Sequence, residues 1–463
     1  MKGREEGDGV LVLASVLRNP ILIQKFSYKK MTLKTEIVSI ETTEPSSPTP
    51  NHLRHFKISL LDQLAPPTIY IPIVLFYSAS DINEEFQMTS HRLKTSLSYL
   101  LTLYYPFCGR LKNNLFVECN DEGVIFIESK VPTNLSHILT NPQVDEMKEL
   151  FPFNPYNPND PSINMGVQLN QFSCGGIGLG VCFSHKIADG TTAAAFLNAW
   201  ASIAKFNDGE DKLVPPPPQW DAALLFPPRN IEMDITRGMV GHKNIVTKRF
   251  IFNATNLSRL REKFGSFNPT RVEAVTALIW KSALEAAKAS SEVQTLVQAS
   301  MVSHAVNIRN RMEPPLSKHA VGNLWQQAIS PLVEVNDEVV SLLELADIIR
   351  NTVKKIDADY IISKFQGDGF PKIIESIREA NSMVAEKGIS CYGFSSWTRF
   401  AFYGNDFGWG KPTFVCPLGV PIKNVIILMA TKDGDGIEAW VTLTKLNMVE
   451  FESNPELLQF TFI

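Results

Sequence analysis

Residues 177–190 read IGLGVCFSHKIADG, and this stretch decides the fold. The large apolar side chains Ile177, Leu179, Val181 and Phe183 fall on every second position, which is the period of a β-strand. Between them stand Gly178, Gly180, Cys182 and Ser184. One face of the strand is bulky and the other stripped, as expected where a ligand or another backbone approaches closely. With His185 at its tip and Gly190 just beyond, such a strand is how a pocket floor would be built. Asp189-Gly190-Thr191-Thr192 then reads as a helix start, with helix formers from Ala193 to Ala204 behind it. Taken alone, His185 reads either as a hydrogen-bonded structural residue or as a general base, and these residues leave both readings open.

The chain has 463 residues. Single hydrophobic cores stop growing at about 250–300 residues, so two domains are expected. Hydrophobic residues make up 44% and charged residues 20%, close to ordinary globular composition, which excludes general disorder. The formal net charge is -4, so no basic excess favours nucleic acid or an anionic membrane. Cys108, Cys119, Cys174, Cys182, Cys391 and Cys416 are scattered, without a CxxC pair or zinc spacing; reduced core cysteines and no metal site are expected. No apolar run reaches the roughly 18 residues of a membrane span. The short apolar run 10–17 follows Glu5, Glu6 and Asp8, unlike a signal peptide. A cytoplasmic location is expected.

Working outward, residues 1–30 look unlike the rest, and Met31 offers a second start. A short strand-like run over 36–40 precedes Pro45-Ser46-Ser47-Pro48-Thr49-Pro50, after which the folded body is expected to begin. Strands are predicted over 73–77, 115–119 and 124–128, and a helix over 90–104. Between Asn207 and Asn230 the composition changes, with Pro215 to Pro218 in succession and then Pro227-Pro228. Four prolines in a row suit an extended connector rather than a helix or central strand. The expected organisation is an atypical extension at 1–30, a first α/β domain at 31–206, a linker at 207–230 and a second α/β domain at 231–463. Thr270-Arg271-Val272-Glu273 fits a capping box opening a helix to about Lys288. The N-terminus of that helix, with Arg271 and with Lys248 and Arg249 from an earlier segment, could hold a phosphate, although an ordinary capped core helix explains the same residues.

Asp406-Phe407-Gly408-Trp409-Gly410 sets aromatics between glycines, and turn chemistry accounts for all of it except the tryptophan. No GxxxxGK[ST] phosphate loop, GxSxG elbow or HExxH site is present in the chain. A histidine base without its own nucleophile suits direct transfer between two bound substrates.

His185-Lys186-Ile187-Ala188-Asp189 together with Asp406-Phe407-Gly408-Trp409-Gly410 resemble the HxxxD and DFGWG motifs of the plant BAHD acyl-CoA-dependent acyltransferases. Leu61-Asp62-Gln63, residues 105–111, residues 306–311, Gly322-Asn323 and Ser395-Ser396-Trp397 are also similar to family signatures, and the likeness runs from about residue 34 to the C-terminus. Within the family it is similar to the vinorine synthase and alkaloid O-acetyltransferase branch.

The resemblance implies two chloramphenicol-acetyltransferase-like mixed-sheet domains with a channel between them, and acyl-CoA, by expectation acetyl-CoA, as co-substrate with no permanently bound cofactor. His185 would take the proton from an acceptor hydroxyl and return it to the CoA thiolate. Asp406 is grouped with His185 as catalytic, although a structural role suits it too. Ser395, and more weakly Trp409, would face the oxyanion. Asp189 would turn to Arg309 and, with Gly190, Phe407, Gly408 and Gly410, support the site; Lys248, Thr270 and Arg271 would meet CoA. The resemblance points to a monomeric O-acyltransferase moving acetyl to a small-molecule alcohol, an alkaloid or terpenoid. Its rivals are a larger aromatic acyl donor or an amine acceptor, a non-catalytic binding protein of the same fold, and a condensation domain.

Overall fold

The computed structural model describes residues 33–65, 68–82, 84–140, 142–156, 162–206, 215–231, 244–290, 299–334, 340–365, 369–371, 374–375 and 389–462. The extension at 1–30 and residues 207–214 of the proline-rich connector lie outside the described residues. Leu33–Ile463 form one compact unit.

Its strands in chain order are β1 (Glu36–Thr43), β2 (His55–Lys57), β3 (Tyr70–Tyr77), β4 (Arg110–Lys112), β5 (Phe116–Glu118), β6 (Val124–Val131), β7 (Met165–Phe172), β8 (Ile177–Ser184), β9 (Ile245–Phe252), β10 (Ala299–Asn307), β11 (Trp325–Ile329), β12 (Val333–Glu334), β13 (Ser390–Trp397), β14 (Phe414–Pro417), β15 (Val425–Ala430) and β16 (Ile437–Thr444). The first sheet runs β1-β6-β7-β8-β3-β14, and the second runs β11-β10-β13-β15-β16-β9 with β12 also on β10. A small sheet β2-β5-β4 completes the set. Parallel pairs occur only at β6·β7, β10·β13 and β13·β15 among the described strands, so both large sheets are mixed, as the resemblance implies.

The strand at 177–184 is central in the first sheet, and its bulky face meets the helices. Phe183 makes edge contacts with Phe107 and Phe196, and Phe196 belongs to the helix Gly190–Phe206. The stripped face is a different matter. A Cβ on Gly180 would overlap the carbonyl oxygen of Leu150, and one on Gly178 would crowd Phe172 and Phe76. Another backbone is what comes close here, so the pocket-floor expectation is corrected: every residue of β8 is buried against protein.

The expectation that folding begins after Pro50 is also corrected. Strand β1 pairs along β6 from Glu36 to Thr43, and the proline loop is tied down where Thr49 donates through its amide (2.9 Å) and hydroxyl (2.5 Å) to Asp121.

The second sheet has two unlike faces. Phe394, Ile426 and Val441 face the helix Arg271–Ala289 in a core of their own. The opposite register row is Ala305, Ser395, Ile427, Trp440 and Arg249. From that face, Trp397, Ile427, Met429 and Trp440 join the hydrophobic core of the first sheet. The chain then crosses over: β14 leaves the second half to pair antiparallel with β3 on the edge of the first sheet.

Candidate active site

The geometry at His185 follows from three short segments meeting at the end of β8. At the end of the strand the Ser184 and His185 amides still donate to the carbonyls of Asn164 and Ile69, which extend the registers of β7 and β3 by one residue, and the chain then turns. The helix Gly190–Phe206 begins five residues on, where the Asp189 carboxylate accepts from the Thr192 amide at 2.8 Å. Between strand and helix the imidazole is carried on a tight turn, partly accessible, with Lys186, Ile187 and Ala188 buried beneath it.

Asp189 faces away from the imidazole. Its two oxygens accept from Arg309 Nη1 at 2.6 Å and Nη2 at 3.1 Å, and the Leu324 amide donates to it at 3.2 Å. Arg309 is 2% exposed and also donates to the carbonyls of Ala320 and Gly322. A buried, bidentate pair of this kind is costly to break from one side, because the remaining charge is stranded. The pair clamps the His185 turn to the loop 320–324. At Gly190 a Cβ would lie 2.5 Å from the Phe400 ring, so a larger residue there needs that ring to move.

The loop 320–324 also delivers a residue that the sequence offered only as part of Gly322-Asn323. Gly322 adopts φ +122°, a conformation that favours glycine, and the next side chain is set against the imidazole. Asn323 Oδ1 lies 2.7 Å from His185 Nδ1 and also accepts from Trp325 Nε1 at 3.2 Å. Its Nδ2 donates to the His185 carbonyl at 2.6 Å and to Asp62 Oδ1 at 2.9 Å. Asp62 is buried and closes a capping box with Ser59 at the start of the helix Leu60–Gln63. Its burial raises the carboxyl above the usual range, against the hydrogen bonds from Ser59 and Asn323. Lys186, also buried, donates to the carbonyls of Gln63 (2.9 Å) and Asp62 (3.4 Å). The Trp325 ring stands 6.1 Å from the imidazole.

Burial lowers the His185 pKa below the ordinary histidine value, partly offset by the Asn323 hydrogen bond and by the charges of Asp189 and Asp62. At neutral pH the ring is therefore uncharged, the form a general base needs.

Ser395 lies on the inner row of the second sheet and is partly accessible. Its Oγ accepts from Trp397 Nε1 at 3.0 Å, which leaves the Ser395 hydroxyl hydrogen available to a third group. Ser303, on the neighbouring strand β10, accepts from Gln327.

The 406–410 motif is not beside His185, and the catalytic grouping of Asp406 is corrected on that ground. Asp406 Oδ2 accepts from Lys205 at 2.5 Å, near the C-terminal end of the helix whose first turn follows His185. From Gly190 to Lys205 a helix advances about 22 Å. A second ruler agrees: Tyr77, whose ring contacts Phe407 and Trp409, pairs with Ile177, about 26 Å along the strand from residue 185. Asp406 Oδ1 instead accepts from the amides of Gly408 and Gly410, each at 2.9 Å. Those glycines adopt φ +112° and +105°, and Phe407 packs against Trp200. The Trp409 indole is buried at the same remote place, so it too lies away from His185.

The three residues expected to meet CoA have internal partners. Lys248 is paired with Glu452, Thr270 caps its helix through Glu273, and Arg271 donates to the carbonyls of Gly434 and Asp435. Among the described residues no cluster of three or more His, Cys, Asp or Glu could hold a metal, and no helix is long and apolar enough to cross a membrane.

The chain is similar to known proteins over nearly its whole length. The model of the Transferase family matches residues 33–458. Limonoid 1-O-acetyltransferase of Citrus sinensis is 36% identical over 441 residues, covering 92% of this chain and 98% of the relative. Stemmadenine O-acetyltransferase of Catharanthus roseus is 36% identical over 436 residues, covering 92% and 97%. Among solved structures, vinorine synthase superposes with a TM-score of 0.79 at 33% identity, covering 92% of this chain and 98% of that one. The TRI101 protein of F. sporotrichioides, solved with coenzyme A and T-2, shares the fold at a TM-score of 0.67 and 16% identity.

Proposed function

The chain belongs to the Transferase family of BAHD acyltransferases, and from that premise we propose that it moves acetyl from acetyl-CoA to a hydroxyl of a bulky specialised metabolite, an alkaloid or a terpenoid. The observation that carries the reading is the His185 turn, where an uncharged, partly accessible imidazole has its Nδ1 engaged by Asn323, so that Nε2 is the nitrogen left to act on a substrate. The similarity to limonoid and stemmadenine O-acetyltransferases supports both the acyl group and the acceptor class.

In the proposed reaction, His185 Nε2 takes the proton of the acceptor hydroxyl as its oxygen attacks the thioester carbonyl. A positioned base of this kind contributes on the order of 10² to 10⁴ in rate. The carbonyl oxygen becomes an oxyanion, for which the spare Ser395 hydroxyl hydrogen is the proposed donor, worth on the order of 10² to 10³. The tetrahedral intermediate collapses, the carbon–sulfur bond breaks, and the imidazolium returns its proton to the CoA thiolate. Asp189 and Asp406 move no proton in this scheme. Arg271, at the N-terminus of the helix Arg271–Ala289, is the proposed contact for the CoA phosphates.

The test is incubation with acetyl-CoA, benzoyl-CoA and a panel of limonoid and indole-alkaloid alcohols, following free thiol and product mass. Acetylated alcohol is expected, and His185→Ala is expected to abolish it while the fold persists by circular dichroism. Near-normal turnover of His185→Ala would sink the mechanism. Absence of CoA release across the whole panel would favour a binding protein of the same fold.

A further inference from the structure

We infer that Asn323, locked by Asp62, is a positioning residue that selects the imidazole tautomer of His185. The inference rests on the proposed role of His185 as base, and it concerns which nitrogen carries the proton.

A carboxamide between two groups can ordinarily turn over, exchanging its oxygen and nitrogen. At Asn323 it cannot. The Nδ2 side faces two acceptors and no donor: the His185 carbonyl at 2.6 Å and Asp62 Oδ1 at 2.9 Å. Asp62 Oδ1 also accepts from the Asn323 backbone amide at 2.7 Å. Its other oxygen takes the Ser59 amide at 2.8 Å and the Ser59 hydroxyl at 2.6 Å. Reversing the amide would set an oxygen against both the carbonyl and the carboxyl, deep in the protein where an unmatched polar pair costs the most. The oxygen of Asn323 therefore has to face His185 Nδ1, and an acceptor at 2.7 Å requires that nitrogen to carry the hydrogen. Trp325 reinforces the assignment, because its indole can only donate and it donates to the same oxygen.

The consequence is chemical. With Nδ1 protonated, the lone pair of the neutral ring lies on Nε2, the edge that faces the substrates in the proposed reaction. In free imidazole side chains the hydrogen prefers the other nitrogen, so the fold has to hold it in place. Among the described residues, the other acceptor that Nδ1 meets is the His185 carbonyl, one of whose two lone pairs takes the Asn323 Nδ2 hydrogen. In this arrangement the carboxylate of Asp62 acts at two removes from the ring, fixing the amide that fixes the imidazole.

The experiment is nitrogen NMR on protein labelled with ¹⁵N-histidine, with His185 identified by the signal missing in His185→Ala. The wild type is expected to show His185 as the neutral Nδ1–H tautomer. Asn323→Ala is expected to shift it toward Nε2–H and to lower kcat on the order of 10- to 10²-fold, with KM for both substrates changed less than about threefold. Asp62→Ala is expected to move the tautomer in the same direction by a smaller amount. A wild-type Nε2–H tautomer overturns the inference whether or not the variants fold. An unchanged Nδ1–H tautomer in Asn323→Ala also overturns it, by assigning control to the His185 carbonyl. These signals are read without turnover, so they stand apart from failure of the acetyl-transfer reading, which the His185→Ala assay decides.

Discussion

At the scale of single residues, His185 as the proposed base makes its protonation the determinant of the pH range expected for the enzyme. Burial is the dominant influence and lowers its pKa below 6.5. The base is the neutral form, so activity is retained as pH falls past the ordinary histidine value and is lost only through the lower, folded-state value. The acid limb of kcat/KM against pH is expected to have its midpoint below 6.5, with His185→Ala removing the activity that defines it. A midpoint at or above 7 would show an imidazole stabilised as a cation and contradict the burial. Sequence reading reached His185 through its place at the tip of an alternating strand, and the pairing of Asp189 with Arg309 through the family resemblance. It did not reach the link from Asn323 to Asp62, since an amide's orientation depends on groups 261 residues apart in the chain.

At the scale of elements, periodicity served well where one face packs. The alternation over 177–183 gives β8, the apolar spacing over 90–104 gives the helix Phe86–Leu103, and the capping box at Thr270 gives Arg271–Ala289 with both reciprocal hydrogen bonds formed. What a stripped face would meet was not legible, because glycine permits ligand and backbone equally; the carbonyl of Leu150 decided it. Proximity of motifs was not legible either. A helix and a strand each hold the 406–410 segment at arm's length from His185. We predict that Asp406→Asn loses the Lys205 ion pair and weakens two amide bonds, lowering stability by about 1–2 kcal/mol, while kcat/KM of the folded enzyme stays within severalfold of wild type. Chemical denaturation and a turnover assay on one preparation check both halves. A loss of more than 10³ in kcat with unchanged stability would restore a catalytic Asp406.

At the scale of the whole molecule, the seam between the sheets contains a buried acid. Glu438 on β16 is 6% exposed, and burial pushes its carboxyl up to about 7, against the pull of Arg249. Arg249 stands 3.7 Å away and covers the Phe414 ring of β14 at 5.0 Å. In the unfolded chain this carboxyl ionises near 4.5. Between those values the folded state holds a proton that the unfolded state has released, so stability falls as pH rises from about 4.5 to about 7 and stays low above it. The full change is roughly 3 kcal/mol. Glu438→Gln is expected to leave stability unchanged near pH 4.5 and to raise it at pH 8, measured by urea midpoints at both values. Equal midpoints of variant and wild type at pH 8 would refute the assignment.

The excursion of β14 has a practical consequence for anyone recombining relatives of this chain. A cut in the connector after residue 206 separates the sequence into halves but not the sheets, because residues 414–417 come from the second half and complete the edge of β3. A first half expressed alone would leave the apolar strand Tyr70–Tyr77 with an unpaired border, a template for self-association. Chimeras that exchange acceptor preference between parents should therefore inherit residues 398–421 from the parent that supplies the first sheet, with breakpoints in the turns on either side. Crossovers placed by sequence midpoint alone would graft a foreign strand onto β3 and divide the seam between parents.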